Sequence, residues 1–200
     1  LAVNPNTNEL NGVLVLLPGF GQNAESIFPE SKLHHVAYVN GILTIAIAGG
    51  RKLYADESVI EKLDKALGHV KNNYNVSADQ FVIGGYSAGG TISLRYAEYC
   101  NQYPDTAPIQ PKGVFAVDSP VDLFGIWNYF QREIKKGYSE AGVDEARFIS
   151  EIMIKEIGEP ETNKDKYEEL TPFSSNLTEP GNDKYLSNIA VRFYEDMDVT

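Results

Sequence analysis

The sequence predicts an α/β protein: a mostly parallel sheet covered by helices on both faces, with a helical insertion late in the chain. Three observations carry this. Apolar runs recur between segments of helical periodicity. Those runs are continuous rather than alternating, as in strands buried on both faces. After Pro120 the rhythm breaks, and two helical segments follow one another with no strand between them.

Taken in order, residues 4–12 are polar and turn-rich. Val13, Leu14, Val15, Leu16 and Leu17 form the first apolar run, a central strand closed by Pro18 and Gly19. Residues 24–40 are expected to form one helix. Its apolar positions are Ile27, Leu33, Val36, Ala37 and Val39, and Pro29 makes its first turns irregular. Gly41 is the stop signal. Residues 42–47 are a second buried strand, ended by Gly49 and Gly50. A helix follows near Ser58, whose spacing to Glu61 is that of a capping box. Val59, Ile60, Leu63, Leu67, Val70 and Tyr74 make its buried stripe. Residues 81–83, 113–117 and 189–194 are the remaining strands, and residues 91–97 carry helical spacing.

The expected organisation is a core of residues 1–120 and 171–200 with a helical cap at 121–170. The two cap helices are read at 121–136 and 143–157. The first carries Leu123, Phe124, Ile126, Trp127, Tyr129 and Phe130, more aromatic surface than one helix face needs. The insertion is therefore expected to cover the crevice at the carboxyl ends of the strands.

The chain has 200 residues, enough for one domain with a sizeable core. Its net charge of -11 argues against non-specific nucleic-acid binding and against docking on anionic membranes. No apolar run reaches the length of a membrane-spanning helix. The lone Cys100 excludes an internal disulfide and reads as structural. No cysteine–histidine cluster suggests zinc, and no metal or organic cofactor is implied. The first residue is Leu1, which reads as removal of a start segment and leaves the compartment open. The oligomeric state is open as well.

The chemistry concentrates where the strand Phe81, Val82, Ile83 turns into the helix that starts after Ser87 and carries its apolar positions from Thr91 on. Between them lies Gly85-Tyr86-Ser87-Ala88-Gly89, a G-x-S-x-G nucleophile elbow. A reactive hydroxyl must stand clear of the sheet, which puts Ser87 on a strained strand-to-helix turn. Strand and helix then approach so closely that only glycine fits two residues before and two after the serine. The helix aims free N–H groups and its positive end at the hydroxyl, where an oxyanion would develop.

With these residues in place, nearly the whole chain resembles the α/β-hydrolase superfamily, in particular its esterase and prolyl-oligopeptidase-like branch. Residues 13–21 look like the strand and loop that supply one oxyanion donor. Residues 77–90 are similar to the elbow region. Residues 167–174 resemble a Tyr-x-x-x-Ser-Pro stretch, with Thr171 in place of serine. The resemblance implies Ser87 as nucleophile and the backbone N–H groups of Phe20 and Ala88 as the oxyanion hole. Gly19 and Gly21 let the loop approach the substrate, and Tyr86 and Trp127 line the substrate site. The acid is placed after the superfamily's penultimate strand, where Asp198 is preferred and Asp196 second; Asp118, at the end of the preceding strand, is third.

The histidine of the superfamily pattern has no counterpart. His34, His35 and His69 all precede Ser87, whereas the superfamily order is serine, acid, histidine. Each lies about ten residues down its expected helix, roughly 15 Å from the active end at 1.5 Å per residue. The sheet is also short by a helix, a strand and a histidine loop. These residues are accordingly read as part of a longer chain, with the catalytic histidine expected beyond Thr200. The activity implied is hydrolysis of a carboxylic ester, or a related acyl bond, of a small molecule through an acyl-enzyme on Ser87. The alternative is a catalytically inactive hydrolase fold that binds a ligand.

Overall fold

The computed structural model describes residues 1–7, 9–175, 177 and 181–195. The apolar runs form β2 (Gly12–Leu17), β3 (Ile42–Ala46), β4 (Phe81–Tyr86) and β5 (Gly113–Val117). With β1 (Ala2–Val3) and β6 (Ala190–Tyr194) they make one sheet of order β1-β3-β2-β4-β5-β6. β2 to β6 pair in parallel, while β1 runs antiparallel to β3. β1 was not expected. Two residues are too short to leave a pattern, and β1 is held partly by the Leu1 amino group, which donates to the Ala46 carbonyl at 3.0 Å.

The order places β2 at the point where the chain reverses direction across the sheet. The connection to β3 carries α1 (Ile27–Glu30) and α2 (Leu33–Val39), and the return to β4 carries α3 (Glu57–Asn73). Right-handed crossovers in opposite directions put their helices on opposite faces. Val59, Leu63, Leu67 and Val70 of α3 accordingly join Val13, Val15, Leu17 and Ile83 in the main core, together with Ile92 and Tyr96 of α4 (Ala88–Gln102). Each such fully buried aliphatic side chain contributes about 1.5–3 kcal/mol relative to exposure. On the other face Leu16, Ile27 and Ala46 form a smaller cluster.

That second face departs from expectation. Residues 24–40 do not form one helix. The chain breaks after α1, where Ser31 is extended at φ -135° and ψ 138°, and restarts at Leu33. Pro29 lies inside the four-residue α1 and brings no N–H to the helical ladder. Leu33, Val36 and Val39 of α2 are consequently exposed, as is Val82 of the central β4.

The cap of α3 also differs. Asp56, not Ser58, is the N-cap, and its Oδ1 accepts from the Val59 N–H at 3.1 Å. The Ser58 hydroxyl instead donates to Asp56 at 2.6 Å. An ionised carboxylate is an acceptor only, so the hydroxyl supports the cap as its donor.

Beyond β5 come α5 (Leu123–Lys136), α6 (Glu140–Glu156) and the short α7 (Lys164–Leu170). Asp122 caps α5, accepting from the Phe124 and Gly125 N–H groups at 3.0 Å. Gly137 ends it in the left-handed conformation at φ 64°. Ser139 caps α6 by accepting from the Gly142 N–H at 3.0 Å, so this helix begins earlier than the expected 143. The two ends of the segment meet. The Ser174 hydroxyl donates to Asp122 at 2.8 Å, and the Phe173 N–H donates to the Val121 carbonyl at 3.2 Å. β6 returns beside β5, as the expected strand at 189–194, with Phe193 and Tyr194 about half exposed.

Candidate active site

Ser87 lies between β4 and α4 with φ 51° and ψ -128°, a left-handed conformation that few non-glycine residues adopt. Its N–H donates to the Val117 carbonyl of β5 at 2.9 Å, and its carbonyl accepts from the Gly90 N–H at 2.9 Å. The turn is closed by crowding. A Cβ on Gly85 would stand 2.5 Å from the Leu17 carbonyl oxygen and 2.5 Å from the Gly89 carbonyl carbon. One on Gly89 would stand 2.5 Å from the Pro18 carbonyl oxygen. The side chain of Ser87 is exposed at the carboxyl edge of the sheet. As the first residue of α4, Ala88 keeps an N–H without an intrahelical acceptor.

The loop leaving β2 runs past the serine. A Cβ on Gly19 would be only 3.7 Å from the Ser87 Cβ. The Gly19 N–H is held by Gln22 Oε1 at 2.6 Å, and Gln22 Nε2 is in turn anchored on Glu30 at 2.8 Å. Gly21, at φ 70°, donates to the Gly50 carbonyl at 2.9 Å. The loops after β2 and β3 are thereby tied together, and Phe20 is positioned beside the serine.

Over Ser87 opens a cavity of about 680 Å³. Leu123, Ile126 and Phe130 of α5 form one wall, and Ile149 and Met153 of α6 another. Phe20 and Leu53 come from the core loops. Among the described residues its lining carries three carboxyl side chains, Asp118, Glu145 and Glu195, and the Tyr129 phenol. A hydroxyl at a helix N-terminus, beneath a largely apolar roof, suits attack on a neutral carbonyl compound.

The α6 wall is fastened to the core loop 51–54. Phe148 meets Phe20 edge to face at 6.3 Å, and the Arg51 guanidinium lies 6.0 Å from the Phe20 ring and 5.8 Å from the Phe148 ring. Further along, Glu156 accepts from the Tyr54 hydroxyl at 2.5 Å and pairs with Lys52 at 3.1 Å. Burial, reinforced by Glu156, pushes the Tyr54 phenol well above its ordinary range, so it remains a donor. The Asp56 hydrogen bond raises the Lys52 ammonium, with burial opposing it.

The structure brings Ser87, Phe20, Ala88, Gly19 and Gly21 together at one edge of the sheet. Asp118 also lines the cavity, with a left-handed φ of 45° and its N–H on the Tyr194 carbonyl at 2.8 Å. Asp196 and Asp198 lie outside the described residues. Trp127 does not line the cavity. It is buried between the helices with Ala146 and Met153, because α5 turns Ile126 and Phe130 to the opening instead. Tyr86 packs against Leu16 and Ile27 on the far face of the sheet. None of the three histidines lines the cavity. His34 packs on Phe28 at 4.9 Å and on His35 at 4.0 Å, and His69 accompanies Asn73 on α3. Phe148, Glu145 and Glu156 went unread in the sequence, where they sit among other charged and apolar residues of an ordinary amphipathic helix.

The chain superposes on FphF, the fluorophosphonate-binding serine hydrolase F of Staphylococcus aureus, in a substrate-bound structure. The match covers 97% of this chain and 82% of FphF, with a TM-score of 0.52 and 13% identity. This protein has the α/β-hydrolase fold. Also similar are an acetyl xylan esterase from Paenibacillus sp. R4 (18% identity, 97% of this chain, 62% of that one, TM-score 0.49) and a bacterial heroin esterase (20% identity, 60% of this chain, 39% of that one, TM-score 0.48). The matched part of the hydrolase fold thus spans well under half of the heroin esterase chain and under two thirds of the acetyl xylan esterase chain. No protein-family model matches the sequence, and no curated protein is significantly similar to it.

Proposed function

We propose that this protein is a serine hydrolase that cleaves a carboxylic ester, or a related acyl bond, of a small molecule. The observation that carries the reading is Ser87: an exposed hydroxyl held at φ 51° at the N-cap of α4, beneath a cavity whose α5 and α6 walls are largely apolar. Strain of this kind is costly and persists where it serves chemistry. In the proposed reaction Ser87 Oγ attacks the acyl carbon and gives up its proton to a general base. The carbonyl oxygen becomes an oxyanion held by the Ala88 and Phe20 N–H groups. Collapse expels the alcohol and leaves the acyl group on Ser87, and water then releases the acid. The acid partner is assigned to the chain after β6, Asp198 ahead of Asp196, with Asp118 third. Glu195 on the cavity lining supports this, since it brings the end of β6 to the serine. The helices of residues 121–170 act as the cap.

A second reading, a hydrolase fold that binds ligands without turnover, is favoured by the placement of the histidines away from the cavity. Labelling with a fluorophosphonate probe decides between them. An activated serine is labelled and Ser87→Ala is not. Folded protein that takes no label favours binding alone.

A further inference from the structure

The cavity over Ser87 continues past Ile126 and Tyr129 into a second one, a groove of about 480 Å³ that runs between the start of α5 and the end of β6. Ser119, Pro120, Ile126, Tyr129 and Glu195 line both. The junction is beside the nucleophile. The Val117 carbonyl, two residues before Ser119, accepts from the Ser87 N–H, and a Cβ on Gly90 would stand 2.0 Å from the Ser119 Oγ. Beyond the junction the groove is walled by Val121, Gly125, Phe173 and Phe193, and both rings are about half exposed.

The polar groups of the groove are largely committed. Asp122 Oδ1 accepts from the Phe124 and Gly125 N–H groups, and Oδ2 accepts from the Ser174 hydroxyl. The Ser119 hydroxyl donates to the Val117 carbonyl at 3.0 Å. With Glu195 back at the junction, the far end of the groove offers a ligand aliphatic and aromatic surface. The part of the Ser87 cavity beneath the cap is apolar too, through Leu53, Ile149 and Met153. Two apolar arms therefore meet at the serine, and an acyl bond has two sides to fill them.

We propose that the substrate carries an apolar group on each side of the scissile bond. One group lies between α5 and α6, and the other lies in the groove against Phe173 and Phe193. The inference rests on the reading of the Ser87 cavity as a substrate site, and it names the substrate class: an ester of an aliphatic or aromatic acid with an aliphatic or aromatic alcohol. Each methylene that enters an arm tightens binding about threefold to fourfold. A compact or polar group on either side leaves one arm without apolar contact.

Ligand-observed NMR titration of the full chain carrying Ser87→Ala tests it, since that variant binds esters without turning them over. The ligands are butyl acetate, methyl pentanoate and butyl pentanoate. Butyl pentanoate is expected to bind at least about tenfold more tightly than either of the others. Adding Phe173→Ala or Phe193→Ala, which truncate half-exposed rings, is expected to cut that advantage to about threefold or less while at least one of the one-sided esters keeps its affinity. The ester that keeps it is the one seated beneath the cap. The proposal is overturned by a butyl pentanoate affinity equal to that of a one-sided ester, by an advantage unchanged in both ring variants, or by an equal loss for all three esters. Wild-type protein is assayed in parallel for hydrolysis of the same esters. Two-sided binding without hydrolysis keeps this assignment of the two arms and defeats the serine-hydrolase reading, whereas hydrolysis with one-sided affinity defeats this inference alone.

Discussion

The Tyr54 hydroxyl donates to Glu156 Oε2 at 2.5 Å, joining the loop after β3 to the last turn of α6 across 102 positions of sequence. The same carboxylate pairs with Lys52, which also holds Asp56 at 2.8 Å. Removing the phenol leaves Glu156 its lysine, whereas neutralising the carboxylate weakens its contacts with both Tyr54 and Lys52 and leaves the lysine only Asp56 as an ionic partner. Tyr54→Phe is expected to lower the unfolding free energy by about 1–2 kcal/mol, the range for a hydrogen bond to a charged group. Glu156→Gln should cost more, and urea unfolding of the double variant should show the two effects to be non-additive.

The φ of Ser87 predicts a trade between stability and reactivity. Ser87→Gly relieves the left-handed strain and is expected to raise stability by about 1 kcal/mol, while any fluorophosphonate labelling disappears. Thermal unfolding beside the labelling assay checks both. A loss of stability in Ser87→Gly would mean that the turn is not strained.

Gly85 and Gly68 should respond in opposite directions to the same added methyl. At Gly85 the Cβ would press on two backbone groups 2.5 Å away, so Gly85→Ala is expected to cost about 3 kcal/mol or more. At Gly68, inside α3, the nearest atom is a Pro108 carbon at an ordinary 3.5 Å. Gly68→Ala is expected to gain about 0.5–1 kcal/mol from helix propensity. Denaturant midpoints of the two variants give the comparison.

Glu98, buried on α4, makes stability depend on pH. Its folded pKa, raised from 4.5 to about 9 chiefly by burial, means that the folded state holds the proton more tightly than the unfolded chain. The resulting stabilisation is complete below the unfolded value, declines as pH rises above it, and is lost once pH passes the folded value. Unfolding free energy should therefore fall between about pH 5 and pH 9, and Glu98→Gln should flatten that part of the profile. An identical slope in the variant would remove Glu98 as its source.

Much of this architecture is local and so was readable in the sequence. Val13 to Leu17 had to be a buried strand because no amphipathic alternative fits five consecutive aliphatic residues. Gly85 and Gly89 flank Ser87 for a steric reason that a spacing rule captures. What escaped depends on distant partners or on competition between similar signals. Leu33, Val36 and Val39 keep an i, i+3 spacing among themselves that reads as helix, and the break at Ser31 depends on packing that this spacing does not record. Asp56, two residues ahead of the expected cap Ser58, is the stronger acceptor and takes the position. Trp127 and Phe130 share one helix, and only the packing of α6 decides which is buried and which faces the cavity. The preferred acids, Asp198 and Asp196, lie outside the described residues, so their order rests on sequence alone.

The meeting of Asp122 with Ser174, and of Val121 with Phe173, gives the segment between β5 and β6 a narrow neck. Everything beyond that neck leaves the sheet and comes back to nearly the same place. The strand pairing of β5 with β6 is therefore insulated from the length and face of the helices it carries, since loop-closure cost grows only slowly with added residues. Such a segment is exchangeable. A helical hairpin of other composition could be grafted at the same neck, altering what the cavity admits while the serine turn beneath it stays as it is.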